Sequence, residues 1–313
     1  MPTLLVPLDG SPLAEAVLPV AIGLARHMHA TLCLTSVLEL SPWRYATGGA
    51  PLAETQLVRE HQAEWRTAIS RYLDGWHERI AALPDAPEVT TSIVAGPVVE
   101  CLLQHALDVK ATVIVLTTHG RGGISGVWMG SITEALVRQA PVPVLAVRPG
   151  PQDTPETEAL STWTPRRVLV PLDGTLNGEQ VLTPLRSCLG DAPEYVLMRA
   201  VSPLAPILRA IATGEEYERD LVQQRGRVAE YLTGTEARLR ATGLNVSHCA
   251  HVELDPPRGI NDCAVGYNVD LIALATHGRG PVGRFLLGSV ADKVLRTADR
   301  PVLLFRIVAP ESS

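Results

Sequence analysis

Val6-Pro7-Leu8-Asp9-Gly10 returns 164 residues later as Val170-Pro171-Leu172-Asp173-Gly174. Thr118-His119-Gly120-Arg121-Gly122 returns as Thr276-His277-Gly278-Arg279-Gly280, now at an offset of 158. Gly130-Ser131 and Pro143-Val144-Leu145 return at that same offset as Gly288-Ser289 and Pro301-Val302-Leu303. The motifs keep their order in both halves, so the chain is an internal duplication. The fall in offset puts six extra residues in the first half, and the Pro/Gly-containing stretch Glu39–Glu54, with Trp43 and Tyr45, is expected to hold them.

Each half alternates short apolar runs with helical periodicity. In the first, apolar runs at Leu4–Leu8, Thr31–Val37, Val89–Val94, Thr112–Thr117 and Val142–Val147 read as strands. Between them, Ser11 as N-cap with Pro12 at N1 opens a helix expected to reach about Met28. Thr55–Leu83 carries Val58, Trp65, Ile69, Tyr72, Trp76, Ile80 and Leu83 on one stripe, and its aromatics are core by default. Val98–Leu107 and Ser131–Gln139 complete the helices. The second half repeats the pattern, with strands near Val168–Leu172, Tyr195–Val201, Val246–Val252, Leu271–Ala275 and Val302–Phe305 and a long helix over Glu216–Ala241. Continuous apolar strands separated by helices imply a parallel sheet covered on both faces. The expected fold is α/β: two tandem, doubly wound, five-stranded domains over 1–149 and 166–313. Pro149-Gly150-Pro151-Gln152-Asp153-Thr154-Pro155-Glu156 opens a proline-rich polar linker over 150–165.

Composition narrows the function. The net charge of −6 with no long basic run argues against nucleic acid as the main partner. No apolar run is long enough to span a bilayer, and Met1–Pro7 lacks the charged start of a signal peptide. Five scattered cysteines with no CxxC pair read as reduced core thiols, and a cytoplasmic location follows.

The chemistry lies in the fourth strand's loop. Thr117-Thr118-His119-Gly120, nine residues, then Gly130-Ser131 matches Ala275-Thr276-His277-Gly278, nine residues, then Gly288-Ser289. A helix N-terminus offers free N–H groups and a positive dipole end, which suit an anion. Glycine lets a phosphate approach, and the serine adds a hydroxyl. The pattern is neither a P-loop nor the Rossmann fingerprint, since no GK[ST] occurs and the loop follows the fourth strand. Ser131-Ile132-Thr133-Glu134 also fits a capping box with Ser131 as N-cap, a role that needs no ligand. Asp9 and Asp173 could likewise cap the turn before Gly10 and Gly174. His119 and His277 have no cluster that would make them metal ligands, and His248 and His251 are a poor pair in one strand. Arg121 and Arg279 read as phosphate-reaching or simply solvated loop residues.

Taken together, the Pro-x-Asp-Gly ending of the first strand, the Thr-His-Gly-Arg-Gly loop and Gly288–Arg296 resemble the universal stress proteins, over essentially the whole chain and twice. The family signature is Gly-x2-Gly-x9-Gly-(Ser/Thr). The resemblance implies an adenine nucleotide α-hydrolase-like fold, pseudo-two-fold related halves and ATP as ligand, with Mg2+ as an optional companion. It implies that Pro7, Asp9, Val37, Gly120, Gly130 and Ser131 in the first half contact nucleotide. Pro171, Asp173, Val201, Gly278, Gly288 and Ser289 would do so in the second. The signature's first glycine is Thr117 in one half and Ala275 in the other, where a side chain would obstruct a close backbone approach.

Three functions compete: a nucleotide-binding regulatory module, a slow ATPase or adenylating enzyme, and a nucleotide-independent dimerisation scaffold. No SGGxDS or HxGH motif and no convincing general base accompany the loops, so the regulatory, non-enzymatic reading is preferred. In the family the final strand pairs two domains. The resemblance therefore implies an intramolecular pseudo-dimer of the halves, with a homodimer and an unidentified protein partner as further associations.

Overall fold

The computed structural model describes residues 1–39, 56–118, 130–149, 160, 163–201, 214–252, 255–277 and 287–307. It divides into two compact units, Met1–Thr164 and Pro165–Ser313.

In unit 1, strands β1 (Thr3–Pro7), β2 (Thr31–Leu38), β3 (Val89–Ala95), β4 (Val113–Thr117) and β5 (Val144–Val147) alternate with helices. The helices are α1 (Pro12–Glu15), α2 (Leu18–Met28), α3 (Gln56–Ala81), α4 (Val98–Asp108) and α5 (Ser131–Gln139). The strand order is β3-β2-β1-β4-β5 and every pairing is parallel. Unit 2 repeats it as β8-β7-β6-β9-β10, built from β6 (Arg167–Pro171), β7 (Glu194–Val201), β8 (Val246–Val252), β9 (Leu271–His277) and β10 (Val302–Ile307), again all parallel. Its helices are α6 (Leu176–Glu179), α7 (Leu182–Leu189), α8 (Gly214–Arg240), α9 (Pro256–Gly266) and α10 (Ser289–Thr297).

Burial explains why these runs are strands. All five residues of β4 are buried, as are Leu4, Leu5 and Val6 of β1, because helices cover both faces of the sheet. On one face Leu5, Cys33, Ile114 and Val144 pack with Leu102 and Ala106 of α4 and Leu136 of α5. Leu18 and Ile22 of α2 and Leu73, Trp76 and Ile80 of α3 supply further core. All five cysteines are free thiols.

Three expectations are corrected. The single helix from Pro12 to about Met28 is two, α1 and α2, broken at Ala16–Val17. Pro19 has no N–H to give the carbonyl four residues back and its ring clashes there; Pro184 breaks α6 from α7 in the same way. Trp65 is 46% exposed and is not core, although Trp76 is. At 1.5 Å per residue α3 runs roughly 39 Å, longer than the strands it covers, so its N-terminal part overhangs the sheet. Third, the N-cap of α5 is Gly130, and Ser131 is its first helical residue, so the capping-box reading with Ser131 as cap fails.

The offset between units falls from 163 at the second strands (Thr31 to Glu194) to 158 at the start of the long helices (Gln56 to Gly214). Most of the first half's extra residues therefore fall in the segment after β2, where the Glu39–Glu54 stretch lies. Within the interdomain stretch, Leu160 is fully buried and the Trp163 carbonyl lies where a Cβ on Gly23 of α2 would stand.

Candidate functional site

In a sheet ordered 3-2-1-4-5 the chain leaves β1 in one direction and β4 in the other, so a crevice opens beyond their C-terminal ends. The first repeated motif stands there, with the strand end that leads into the second. Pro7 ends β1, with Leu8 and Asp9 just beyond, and Thr117 ends β4. Val37 lies one residue before the end of β2, the strand beside β1. In unit 2, Pro171 and Asp173 sit at the end of β6, and Val201 closes β7 in register with Val252. Topology thus gathers residues far apart in sequence along one edge of each sheet.

The turn after the first strand has the same construction twice. Asp9 Oδ1 accepts from the Ser11 N–H at 2.9 Å and the Ser11 hydroxyl at 2.6 Å. Ser11 Oγ in turn accepts from the Ala14 N–H at 3.2 Å, capping α1. In unit 2 Asp173 Oδ1 accepts from the Thr175 N–H at 2.8 Å and its hydroxyl at 2.7 Å, and Thr175 Oγ1 accepts from the Gly178 N–H at 3.0 Å. One oxygen of each aspartate is therefore committed to its turn, as the capping alternative expects. Gly10 and Gly174 follow with φ of 76° and 81°, the left-handed region that glycine enters without strain.

The opposite wall of the crevice is the helix start after the fourth strand. Gly130 N–H donates to the Thr118 carbonyl at 2.9 Å, and the buried Thr133 hydroxyl donates to the Thr117 carbonyl at 2.9 Å, fixing α5 to the end of β4. Thr118 N–H reaches the Val147 carbonyl at 2.9 Å, which ties the same strand end to β5. Gly130 and Gly288 are the N-caps of α5 and α10, and neither helix has a side-chain cap. The leading N–H groups of each helix thus lie at the crevice edge in the dipole's positive field, with no cap oxygen from the N-cap residue itself. A Cβ built on Gly288 would meet nothing within 4 Å, and Ser131 and Ser289 are exposed beside the caps. This donor set fits a phosphate, and the open space at Gly288 is where it would approach. Gly120 and Gly278, with His119, Arg121 and Arg279, lie outside the described residues.

The departure at the signature's first glycine falls inside strands. Thr117 pairs with Val147 and is 7% exposed; Ala275 pairs with Phe305. Neither residue has a positive φ, so the backbone conformation there needs no glycine.

Sequence reasoning passed over the polar layer beneath the crevice. Glu15 of α1 is buried and accepts from Trp76 Nε1 at 3.2 Å. Burial first, then the Glu15 carboxylate, pushes the Tyr72 phenol well above its ordinary pKa. In unit 2 Glu179 accepts from the Tyr231 hydroxyl at 2.8 Å and pairs with Arg238. The signal was present: a glutamate stands six residues after each motif aspartate, at the same offset of 164. Elsewhere, His248 Nδ1 bonds Glu236 on the outer part of unit 2, away from the crevice strands β6 and β9.

Each unit is thus a doubly wound parallel α/β sheet with a glycine-capped helix at its switch point, and the chain carries the arrangement twice. The model of the universal stress protein family matches residues 1–148 and again 164–306. The chain belongs to the universal stress protein family. A Thermus aquaticus universal stress protein, named for its position 3' of a QAH/OAS sulfhydrylase, is 32% identical over 147 residues, 47% of this chain and 98% of that one. The Mycobacterium bovis universal stress protein Mb2028c is 28% identical over 208 residues, 63% of this chain and 62% of its own length. Among solved structures, a universal stress protein from Archaeoglobus fulgidus superposes with a TM-score of 0.64 at 16% identity, covering 97% of this chain and 96% of that one. At that identity the likeness speaks for the fold.

Proposed function

We propose that the chain is a regulatory module of the stress response that binds an adenine nucleotide, ATP, at the switch-point crevice of its units. The observation that carries the reading is the pair of glycine N-caps without a side-chain cap, which leaves each helix N-terminus open to an anion. The phosphates would take the leading N–H groups of α5 and α10 with the hydroxyls of Ser131 and Ser289. The nucleoside would lie toward Asp9 and Val37, or Asp173 and Val201, as the family resemblance implies. ATP would supply charge and shape that a partner can sense; Mg2+ would accompany the phosphates. Free thiols throughout suit the cytoplasm.

The described part of the seat consists of backbone N–H groups and one hydroxyl per unit. Such groups bind an anion and leave a water nucleophile unactivated, which supports binding over turnover. Titration calorimetry with ATP on the wild type, Gly130→Asp and Gly288→Asp tests it. An aspartate cap satisfies the same N–H groups and repels phosphate, so each variant should lose its own seat's binding by tenfold or more. Slow or absent phosphate release is expected alongside; multiple turnover would favour an ATPase, and no binding by the wild type would leave the scaffold.

A further inference from the structure

The duplication makes each unit a control for the other, and one position at the crevice differs in charge. Register equates Thr35 with Met198: Pro7 pairs with the first and Pro171 with the second, and the N–H groups of Leu8 and Leu172 donate to their carbonyls. The next residue is Ser36 in unit 1 and Arg199 in unit 2. Ser36 is buried, and its hydroxyl donates to the Leu8 carbonyl, so the position is neutral and committed to the fold. The Arg199 guanidinium instead lies across the Asp173–Gly174 turn, where a Cβ on Gly174 would run into it, and its Cζ stands 5.2 Å from the Tyr231 ring centroid. Tyr231 is itself held by Glu179, whose other oxygen pairs with Arg238. The guanidinium therefore has a built support on one side, and Glu179 already has its own cation.

We propose that Arg199 makes the two seats unequal: both take the phosphates of the nucleotide, but unit 2 favours the triphosphate over the bare nucleoside more strongly than unit 1 does. This deepens the reading given under Proposed function and rests on it. β7 is two strands from β9, roughly 10 Å away, and the Arg199 side chain leans over the intervening β6 turn. A cation at that range lies within about one Debye length of a phosphate chain seated at α10, so its attraction is felt and is weakened by salt. Unit 1 has no cation at the matching position.

The test uses the full-length chain and three probes: ATP, AMP and adenosine. ATP and AMP are read by calorimetry at two salt concentrations on Gly130→Asp, where unit 2 alone takes phosphate, and on Gly288→Asp, where unit 1 alone does; adenosine, which carries no phosphate to repel, is the common reference in both variants. The unit 2 seat is expected to prefer ATP over adenosine by about tenfold more than the unit 1 seat does, the size of one partly screened charge. Arg199→Gln should remove that excess and its salt dependence while adenosine binding stays as it was; Arg199→Lys, which keeps the charge, should restore most of it. Equal ATP-to-adenosine ratios in the two seats would overturn the inference, as would an Arg199→Gln variant that loses adenosine and ATP alike. Absence of ATP binding by the wild type would overturn the seat itself, a failure distinct from two seats that bind ATP equally.

Discussion

Thr133 shows how a single side chain positions the crevice. Its hydroxyl holds the Thr117 carbonyl in unit 1, whereas unit 2 has Ala291 at the matching helical position. Thr133→Val keeps the shape and removes the donor, and chemical denaturation should show a loss of about 1 kcal/mol. Gly130→Asp and Gly288→Asp should move the other way, gaining a few tenths of a kcal/mol from the better cap while giving up the anion. A fold-stabilising change that abolishes binding separates function from stability more cleanly than a deletion does. At this scale the sequence was legible to within one residue. Gly-Ser before an apolar helix announces an N-terminus, but glycine and serine differ by only tenths of a kcal/mol as caps, so the letters could not say which one caps. Thr117 and Ala275 looked like defects because the signature is written with glycine; pairing with β5 and β10 shows that the strands extend through them.

At the scale of elements, α4 carries a histidine contact where its counterpart α9 has Cys263 against Cys249. His105 Nε2 lies 3.8 Å from Cys33 Sγ of β2, and burial lowers its pKa despite the opposing pull of Asp108. A histidine whose folded pKa lies below its unfolded one makes the unfolded state bind more protons. Stability should therefore fall as pH drops through the ordinary histidine range of about 6.5 toward the lowered value. His105→Gln should flatten that part of a melting-temperature profile; an unchanged profile would show the contact to be indifferent to charge. Helix α2 offers a second test. Gly23 faces the backbone of Trp163, so Gly23→Ala must displace that carbonyl and is expected to cost 1–3 kcal/mol and to speed proteolysis within residues 150–165. Proline explains what the periodicity concealed here: the apolar spacing runs through Pro19 while the hydrogen-bond ladder cannot. Trp65 is exposed for a related reason: a helical stripe says nothing about where the sheet beneath it stops.

For the molecule as a whole, the repeat was the most informative feature, because strand order follows once each half is seen as βα units. What the repeat could not reveal was inequality between copies, which lives in residues such as Ser36 and Arg199 that align only through strand register. The glycine-capped starts of α5 and α10 are the proposed anion seats. Hydrogen–deuterium exchange on the full chain, with and without ATP, reads those amides directly. ATP should slow exchange at residues 131–133 and 289–291, with the larger effect in unit 2, and Gly288→Asp should erase the second patch alone. Protection confined to other segments, or none at saturating ATP, would contradict their assignment as anion seats.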